Sequence, residues 1–432
     1  MAVNSKTTNI IQSFQILKGN TRTSVIFEPL WGIPFVLYNF YLSLYMKSQG
    51  ITDQQIGFII SIGFIAGSIF SLFGGVITDT LGRKKTTLIF DLISWPGAML
   101  IYLVANSFWM FVLAAVTNSI VRIVTVSWNL MVVEDADNEQ RVAAFNLISI
   151  INISTGIITP LAGILVKLIG VADAERIFIA FAAVSMTAMI FLRNHFYTET
   201  RVGREILERH GKKSLSDIFK AGLYGKTFAV LRNKPDTVLI TCVFVLFNLY
   251  IPLGTYSSLY FAPYMTEVLG IDKSTISILG GVNSATMLII FVFVIPLISI
   301  FNKLINMIGG LALQAVALFL LIIIPANNLT VTILCIALFA VGFSVFRPFI
   351  DVAFAEATEG SERAGIYSLF NTITSVLGAL VGLVSGYLYV LNPRMLYIVS
   401  IIILISCISI IILLYTGKVP FSGEEPEARV RL

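Results

Sequence analysis

The chain has 432 residues, of which 57% are hydrophobic and only 12% are charged, and its formal net charge is +5. Soluble domains carry about twice that charged fraction, and apolar runs long enough to cross a bilayer recur along this whole chain. The composition therefore excludes an ordinary soluble domain and predicts a polytopic membrane protein. Because the excess of lysine and arginine lies in loops, it indicates membrane topology rather than nucleic-acid binding. The three cysteines lie far apart in apolar runs, at no disulfide or metal spacing.

Twelve apolar segments are predicted to span the membrane, at about residues 24–46, 54–81, 86–105, 108–133, 142–170, 176–192, 236–266, 276–301, 303–325, 330–357, 364–391 and 395–416. With the N-terminus in the cytoplasm, the outer loops hold few cations: Lys47, Lys167, Arg176, Lys273 and Arg394. This asymmetry predicts a multi-pass protein of the plasma (inner) membrane with both termini cytoplasmic. The first span is too long for a cleavable signal peptide and lacks a small-residue cleavage site.

The longest polar segment separates two groups of six spans. We expect an N-terminal six-helix bundle at residues 1–192, a cytoplasmic linker at 193–235 and a C-terminal six-helix bundle at 236–432. The linker either forms short amphipathic helices on the membrane surface or is a solvated tether. A weak internal repeat at an offset of 222 residues, in which Glu134 matches Glu356, indicates two related halves.

Between spans two and three lies a G-x-x-x-D-x-x-G-R-K motif, formed by Gly75, Asp79, Gly82, Arg83 and Lys84. Gly75 and Asp79 are four residues apart and share one helix face, so we expect a neighbouring helix to approach closely at Gly75. The motif resembles the loop 2–3 signature of the major facilitator superfamily. The resemblance implies an all-α membrane fold of two six-helix bundles, related by a pseudo-twofold axis along the membrane normal.

The same resemblance implies a conformational latch on the cytoplasmic side. In the family the aspartate faces the N-terminus of span eleven, and the arginine reaches acidic residues that end span four. Carried onto this chain, the latch residues are Gly75, Asp79, Gly82, Arg83, Lys84, Glu134 and Asp135. The equivalent loop of the second half lacks the aspartate and the glycines, so we expect only one latch.

Several ionisable side chains lie where charge is costly unless it is paired or faces a cavity. Arg122 in span four is expected to face a central cavity, where it binds substrate or partners an acid. Arg347 and Asp351, four residues apart in span ten, are expected to pair. Glu28 either extends to the interface or carries a coupling proton, as the resemblance to family exporters implies, and Asp351 is the other candidate proton site. Asp91 is expected to pair with the nearby basic loop.

Aromatic and amide side chains add to the predicted substrate site, because their spans line the cavity in the resembled family. They are Trp31, Asn39, Trp128, Asn129, Asn248, Tyr250, Tyr256, Asn283 and Asn371, beside the charged Arg122, Arg347 and Asp351. Such a lining suits neutral sugars as well as drug-like amphiphiles. The segment Thr159–Gly163 partly resembles the span-five antiporter motif of the family, which favours export.

These features predict a secondary transporter that moves a small organic solute by alternating access, coupled to protons and exporting drug-like or amphipathic solutes. Uptake or exchange of a sugar or another small polar solute by the same fold is the alternative, and a membrane receptor or a channel is the alternative outside carriers. We expect no enzymatic activity, no cofactor and no metal, because no span carries a catalytic set and both histidines, His195 and His210, lie in the linker. The expected partners of a monomeric chain are the bilayer, a small-molecule substrate and protons, and no nucleic acid.

Overall fold

The computed structural model describes residues 10–209, 235–358 and 363–416, and within these ranges all regular structure is helical. Twelve helices are long and apolar enough to cross a membrane, which confirms the number of predicted spans. In chain order these spans are Gly19–Ser48, Asp53–Leu81, Arg83–Val104, Phe108–Val133, Asn138–Ile169, Val171–Phe196, Pro235–Leu253, Ile276–Ile298, Lys303–Ile323, Leu329–Ala357, Leu369–Leu391 and Arg394–Tyr415.

The seventh span is shorter than the sequence predicts. Its helix ends at Gly254, and turns and short helical segments follow instead of a continuous helix to residue 266. After Pro252, the hydroxyl of Thr255 donates to the Ile251 carbonyl at 2.7 Å, and that of Ser258 donates to the Pro252 carbonyl at 2.6 Å. Hydroxyl groups that bind the backbone in this way compete with continuation of a helix.

Three spans of the N-terminal half are interrupted at or near a proline, which removes a backbone donor and breaks the regular hydrogen bonding. Span one breaks at Glu28, immediately before Pro29. Span three contains a π-helical turn, Ile93–Gly97, around Pro96. Span five has a 3₁₀ turn, Gly156–Ile158, just before its own proline. Such interruptions re-aim side chains and are frequent at functional sites.

The predicted linker contains a helix, Arg201–Arg209, which we call the linker helix. This part of the linker is therefore helical, and its position on the membrane surface stays a prediction. The rest of the predicted linker, residues 210–234 with His210, lies outside the described residues, as do residues 1–9 and 417–432 at the two ends of the chain.

The chain divides into two compact units. The first comprises Met1–Phe219 and Asp272–Ala285, and the second comprises Lys220–Ile271 and Thr286–Leu432. In the first unit, the start of span eight packs on span five so closely that a Cβ added at Gly163 would overlap the Ser274 carbonyl oxygen. The domain boundaries drawn from the linker composition stay a prediction.

The second unit has an aromatic core. Phe244 and Phe354 stack with ring centroids 4.2 Å apart. The Tyr250 hydroxyl is fully buried and donates to Oε1 of Gln314 at 3.2 Å, so Tyr250 joins spans seven and nine. A buried tyrosine hydroxyl needs such a partner.

Candidate functional site

The first unit contains a cavity of about 260 Å³ among spans one, three, four, five and six. This volume is close to the lower end of the range for small-molecule sites. Its lining consists of aromatic and aliphatic side chains with a small group of charged ones: Glu28, Trp31, Asp91, Trp95, Val121, Val124, Thr125, Trp128, Ile148, Asn152, Met189 and Arg193. A cavity of this kind binds an apolar body and orients it through a few polar contacts.

A buried ion pair lies in the cavity wall. Nη2 of Arg193, in span six, lies 2.6 Å from Oε2 of Glu28, in span one, and each residue is only 5% exposed. The same nitrogen donates to the Ser24 carbonyl at 2.8 Å. Nδ2 of Asn152 donates to Oε1 of Glu28 over a long 3.4 Å. Glu28 therefore does not extend to the membrane interface, which was one of its two predicted arrangements; it is held inside the helix bundle by an arginine.

Asp91 faces the same cavity and is 3% exposed. It lies within electrostatic range of both Arg193 and Glu28, and its carboxylate has no hydrogen-bond partner among the described residues. The predicted pairing of Asp91 with the basic loop is therefore wrong. Asp91 lies two helical turns after Arg83, and its side chain lines the cavity near Arg193 rather than contacting the loop.

Three of the four tryptophans of the chain line the cavity. The rings of Trp31 and Trp95 meet edge-to-face with centroids 5.4 Å apart. The guanidinium of Arg193 lies over the Trp128 ring at 5.8 Å, within cation–π range. The indole N–H groups of Trp31 and Trp128 are buried and have no partner among the described residues.

The loop between spans two and three forms a second polar cluster. Arg83 is 3% exposed and binds Glu134 through Nε at 3.1 Å and Nη2 at 3.0 Å, and Nη1 binds Asp79 at 3.1 Å. The expected reach of the arginine to the acidic end of span four is thus confirmed. The predicted close helix approach at Gly75 is wrong: no described atom lies within 4 Å of a Cβ added there, whereas at Gly74 it would lie 3.0 Å from Val126.

The residues before the linker helix complete this cluster. The carboxylate of Glu199 accepts hydrogen bonds from the backbone N–H groups of Arg83 at 2.9 Å and Lys84 at 3.1 Å, and so caps the N-terminus of span three. The Thr200 hydroxyl donates to Glu134. The backbone N–H of Arg201 donates to Oδ1 of Asp135 at 3.1 Å.

Gly82 is the motif position where the backbone requires glycine. Its φ is +87°, a region that other residues rarely adopt, and an added Cβ would lie 2.6 Å from Oε2 of Glu199. The conformation turns the chain sharply, so that the helix beginning at Arg83 presents its first N–H groups to Glu199.

In the second unit, Arg347 and Asp351 pair as predicted, with Nε 3.0 Å from Oδ2. The two side chains are 35% and 45% exposed, and the guanidinium also lies 5.8 Å from the ring of Phe244. This pair is therefore far more accessible than the pair of Glu28 and Arg193.

The family model that matches the chain is that of the Major Facilitator Superfamily, over residues 31–262 and 245–431. These matches cover most of both halves. The chain belongs to the Major Facilitator Superfamily. It is accordingly a membrane transporter of small solutes. No curated protein sequence matches the chain.

Solved structures of other superfamily transporters have the same fold. A D-xylose-proton symporter superposes with a TM-score of 0.70 at 15% identity, covering 96% of this chain and 99% of the other. The nucleoside transporter NupG gives 0.67 at 12%, covering 91% and 99%. The human organic anion transporter MFSD10 gives 0.62 at 15%, covering 90% and 98%. Identities this low establish the fold and leave the substrate open.

The second half of this superfamily member has a simpler ion pair where the first half has its motif. Nζ of Lys303, at the start of span nine, binds Glu356, near the end of span ten. Glu356 is the repeat equivalent of Glu134, and Lys303 begins its span as Arg83 does. The second half therefore has an ion pair between the corresponding helix ends although it lacks the motif.

The predicted substrate residues lie in different parts of the fold. Trp31 and Trp128 line the cavity. Arg122 is exposed, does not line the cavity, and packs against span two, where its Cγ would lie 3.3 Å from a Cβ added at Gly67. The remaining ones are Asn39, Asn129 and Asn283 in the first unit, and Asn248, Tyr250, Tyr256, Arg347, Asp351 and Asn371 in the second. A substrate role for any of them stays a prediction.

Among the charged and aromatic residues of the cavity, sequence reasoning does not single out two, Arg193 and Trp95. Arg193 falls in the predicted polar linker, because span six is predicted to end at residue 192, whereas the helix continues to Phe196. The apolar Phe196 and Tyr197, which follow it, were a signal that the helix continues. Trp95 precedes Pro96, and apart from its residue type nothing in the sequence indicates that it lines a cavity. Among the described residues, no group of three or more His, Cys, Asp or Glu side chains could hold a metal ion.

Proposed function

We propose that this superfamily member is a proton-coupled secondary transporter that exports amphipathic organic solutes by alternating access, with Glu28 as the coupling site. The observation that carries the proposal is the buried ion pair of Glu28 and Arg193 in the wall of a cavity large enough for a small solute. A carboxylate buried in a membrane protein is a functional candidate by default.

The physical basis of coupling is the distance between the two charges. The carboxylate of Glu28 has a cationic partner at 2.6 Å, the guanidinium of Arg193. In general, a buried carboxylate that loses such a partner favours its protonated form. The two residues lie on different spans, and span one is interrupted at Glu28. A movement of span one relative to span six would therefore separate this carboxylate from its cationic partner, which is the basis of the proposed coupling. Asp351, the other predicted site, is 45% exposed, so helix movement should change the surroundings of its carboxylate less.

The nature of the wall supports an amphipathic solute rather than a sugar. Sugars need many directional hydrogen-bonding groups, whereas here the uncharged polar groups are few, notably Asn152 and Thr125 beside three indole rings. Export is proposed from the partial span-five motif, whose Gly163 packs tightly against the start of span eight.

Reconstituted protein tests the coupling. Proteoliposomes carrying a pH-sensitive dye are given a gradient of a solute selected by thermal-shift screening. The wild-type chain should acidify or alkalise the lumen with the solute, and Glu28→Gln should abolish this proton movement while counterflow exchange persists. Asp173→Asn, which changes an exposed carboxylate near the N-terminus of span six, is the matched control and should behave as wild type. Proton movement that survives in Glu28→Gln and is lost in Asp351→Asn would transfer the coupling role to Asp351. A saturable sugar flux would instead favour the polar-solute alternative.

The cluster around Arg83 is proposed as the cytoplasmic latch of the transport cycle, with both chain termini in the cytoplasm. Its dense ion pairing at helix ends supports this role. Reporter fusions at residue 210 and at the C-terminus test the orientation, and an external signal at either point would overturn it. Cysteine labelling of cytoplasmic positions in Asp79→Asn tests the latch, since a latch variant should label faster than wild type.

A further inference from the structure

The charges in the cavity wall do not balance. Two carboxylates, Glu28 and Asp91, face one guanidinium, that of Arg193. Arg193 is directly bound to Glu28, so Asp91 is left without a hydrogen-bonded partner among the described residues although it is 97% buried. A buried carboxylate that shares one guanidinium with a second carboxylate is stable only when it is protonated or when a further cation lies beside it.

From this juxtaposition we propose that the cavity binds an organic cation with an aromatic or apolar body, and that Asp91 is the residue that selects its positive charge. The proposal rests on the transport function proposed above and specifies the class of solute. It does not depend on Glu28, whose charge is already neutralised by Arg193.

The aromatic walls favour the same ligand. Asp91 and Trp95 are four residues apart in span three, and both face the cavity. Trp31 meets Trp95 edge-to-face, and Trp128 lies on the opposite span under Arg193. Indole faces attract ammonium groups most strongly of all aromatic side chains, and the attraction increases when the cation is desolvated. A carboxylate beside three indoles thus recognises an ammonium group attached to an apolar body.

The titratable groups around Asp91 leave one negative charge of the cavity without a counter-charge. Glu28 on span one, Arg193 on span six and Tyr197 after span six are the titratable groups near it. Span four contributes the uncharged Trp128 from its side of the cavity. A bound cation would supply the positive charge that the two carboxylates and the single guanidinium of the cavity lack.

The test measures binding without transport. Full-length protein in phosphatidylcholine nanodiscs is titrated with three probes of similar size: benzyltrimethylammonium, whose charge does not titrate, neutral benzyl alcohol and anionic phenylacetate. Quenching of tryptophan fluorescence reports binding, because three of the four tryptophans line the cavity. Trp109, which is 73% exposed, is replaced by phenylalanine in every variant to remove its background.

We expect benzyltrimethylammonium to bind wild-type protein at least tenfold more tightly than the other two probes. Asp91→Asn should abolish this preference, Asp91→Glu should retain it, and the control Asp173→Asn should leave it unchanged. Equal affinities for all three probes, or a preference that survives in Asp91→Asn, would overturn the proposal. If Asp91→Asn does not fold, the probe series on wild type and Asp91→Glu decides by the same criterion. Cation-selective binding without proton-coupled flux would refute only the proposed coupling, whereas coupled flux without cation preference would refute only this inference.

Discussion

Replacement of Glu28 by glutamine should destabilise the first unit measurably. Removing one member of a buried ion pair costs about 3–5 kcal/mol, because the other charge stays buried without compensation. Arg193 keeps its 2.8 Å bond to the Ser24 carbonyl and lies near Asp91, so we expect the lower end, about 3 kcal/mol. At roughly 2 °C per kcal/mol for a large domain, the unfolding temperature should fall by about 6 °C.

Thermal unfolding of detergent-purified protein, followed by tryptophan fluorescence, measures this change. Asn152→Ala is the matched control, because it removes only the 3.4 Å bond to Glu28 and should cost about 1 kcal/mol or less. The double variant Glu28→Gln with Arg193→Gln should lose less than the sum of the two single losses. The reasoning would be refuted by a decrease below about 2 °C in Glu28→Gln, or by single losses that simply add.

Arg83→Ala should lower the free energy of unfolding by about 2–3 kcal/mol, since it leaves the carboxylate of Glu134 without its arginine. Lys303→Ala should lower it by less than about 1 kcal/mol, because Glu356 is 40% exposed. Similar losses for the two variants in urea unfolding would contradict the difference in burial. Glu175 is fully buried and neither carboxylate oxygen has a partner among the described residues. Glu175→Leu should therefore raise the unfolding temperature, by about 1–3 kcal/mol of stabilisation, and a lower temperature would indicate a partner not seen here. Gly82→Ala should accelerate proteolysis of the linker, because the positive φ and the contact with Glu199 both disfavour a side chain; an unchanged rate would count against the Glu199 cap.

The spacing of residues along the sequence determined much of the structure of this protein. Apolar runs of sufficient length specify the twelve spans, because a bilayer admits only backbones that satisfy their own hydrogen bonds. Arg347 and Asp351 pair because a helix brings residues four apart onto one face, whatever the surroundings. The motif at Arg83 correctly implied the contact with Glu134, since the family resemblance carries tertiary information that composition does not.

The cavity depended on the tertiary structure. Glu28 and Arg193 are 165 residues apart, and nothing in the spacing of either span indicates that they meet. The rotation of each helix about its axis is chosen by packing, so the sequence could not show that Asp91 turns away from the basic loop toward Arg193. The same reason explains Gly75, where the close helix contact falls one residue earlier, at Gly74. Membrane insertion requires only that a segment be apolar, whereas a charge inside the bundle is located by the few neighbours that can stabilise it.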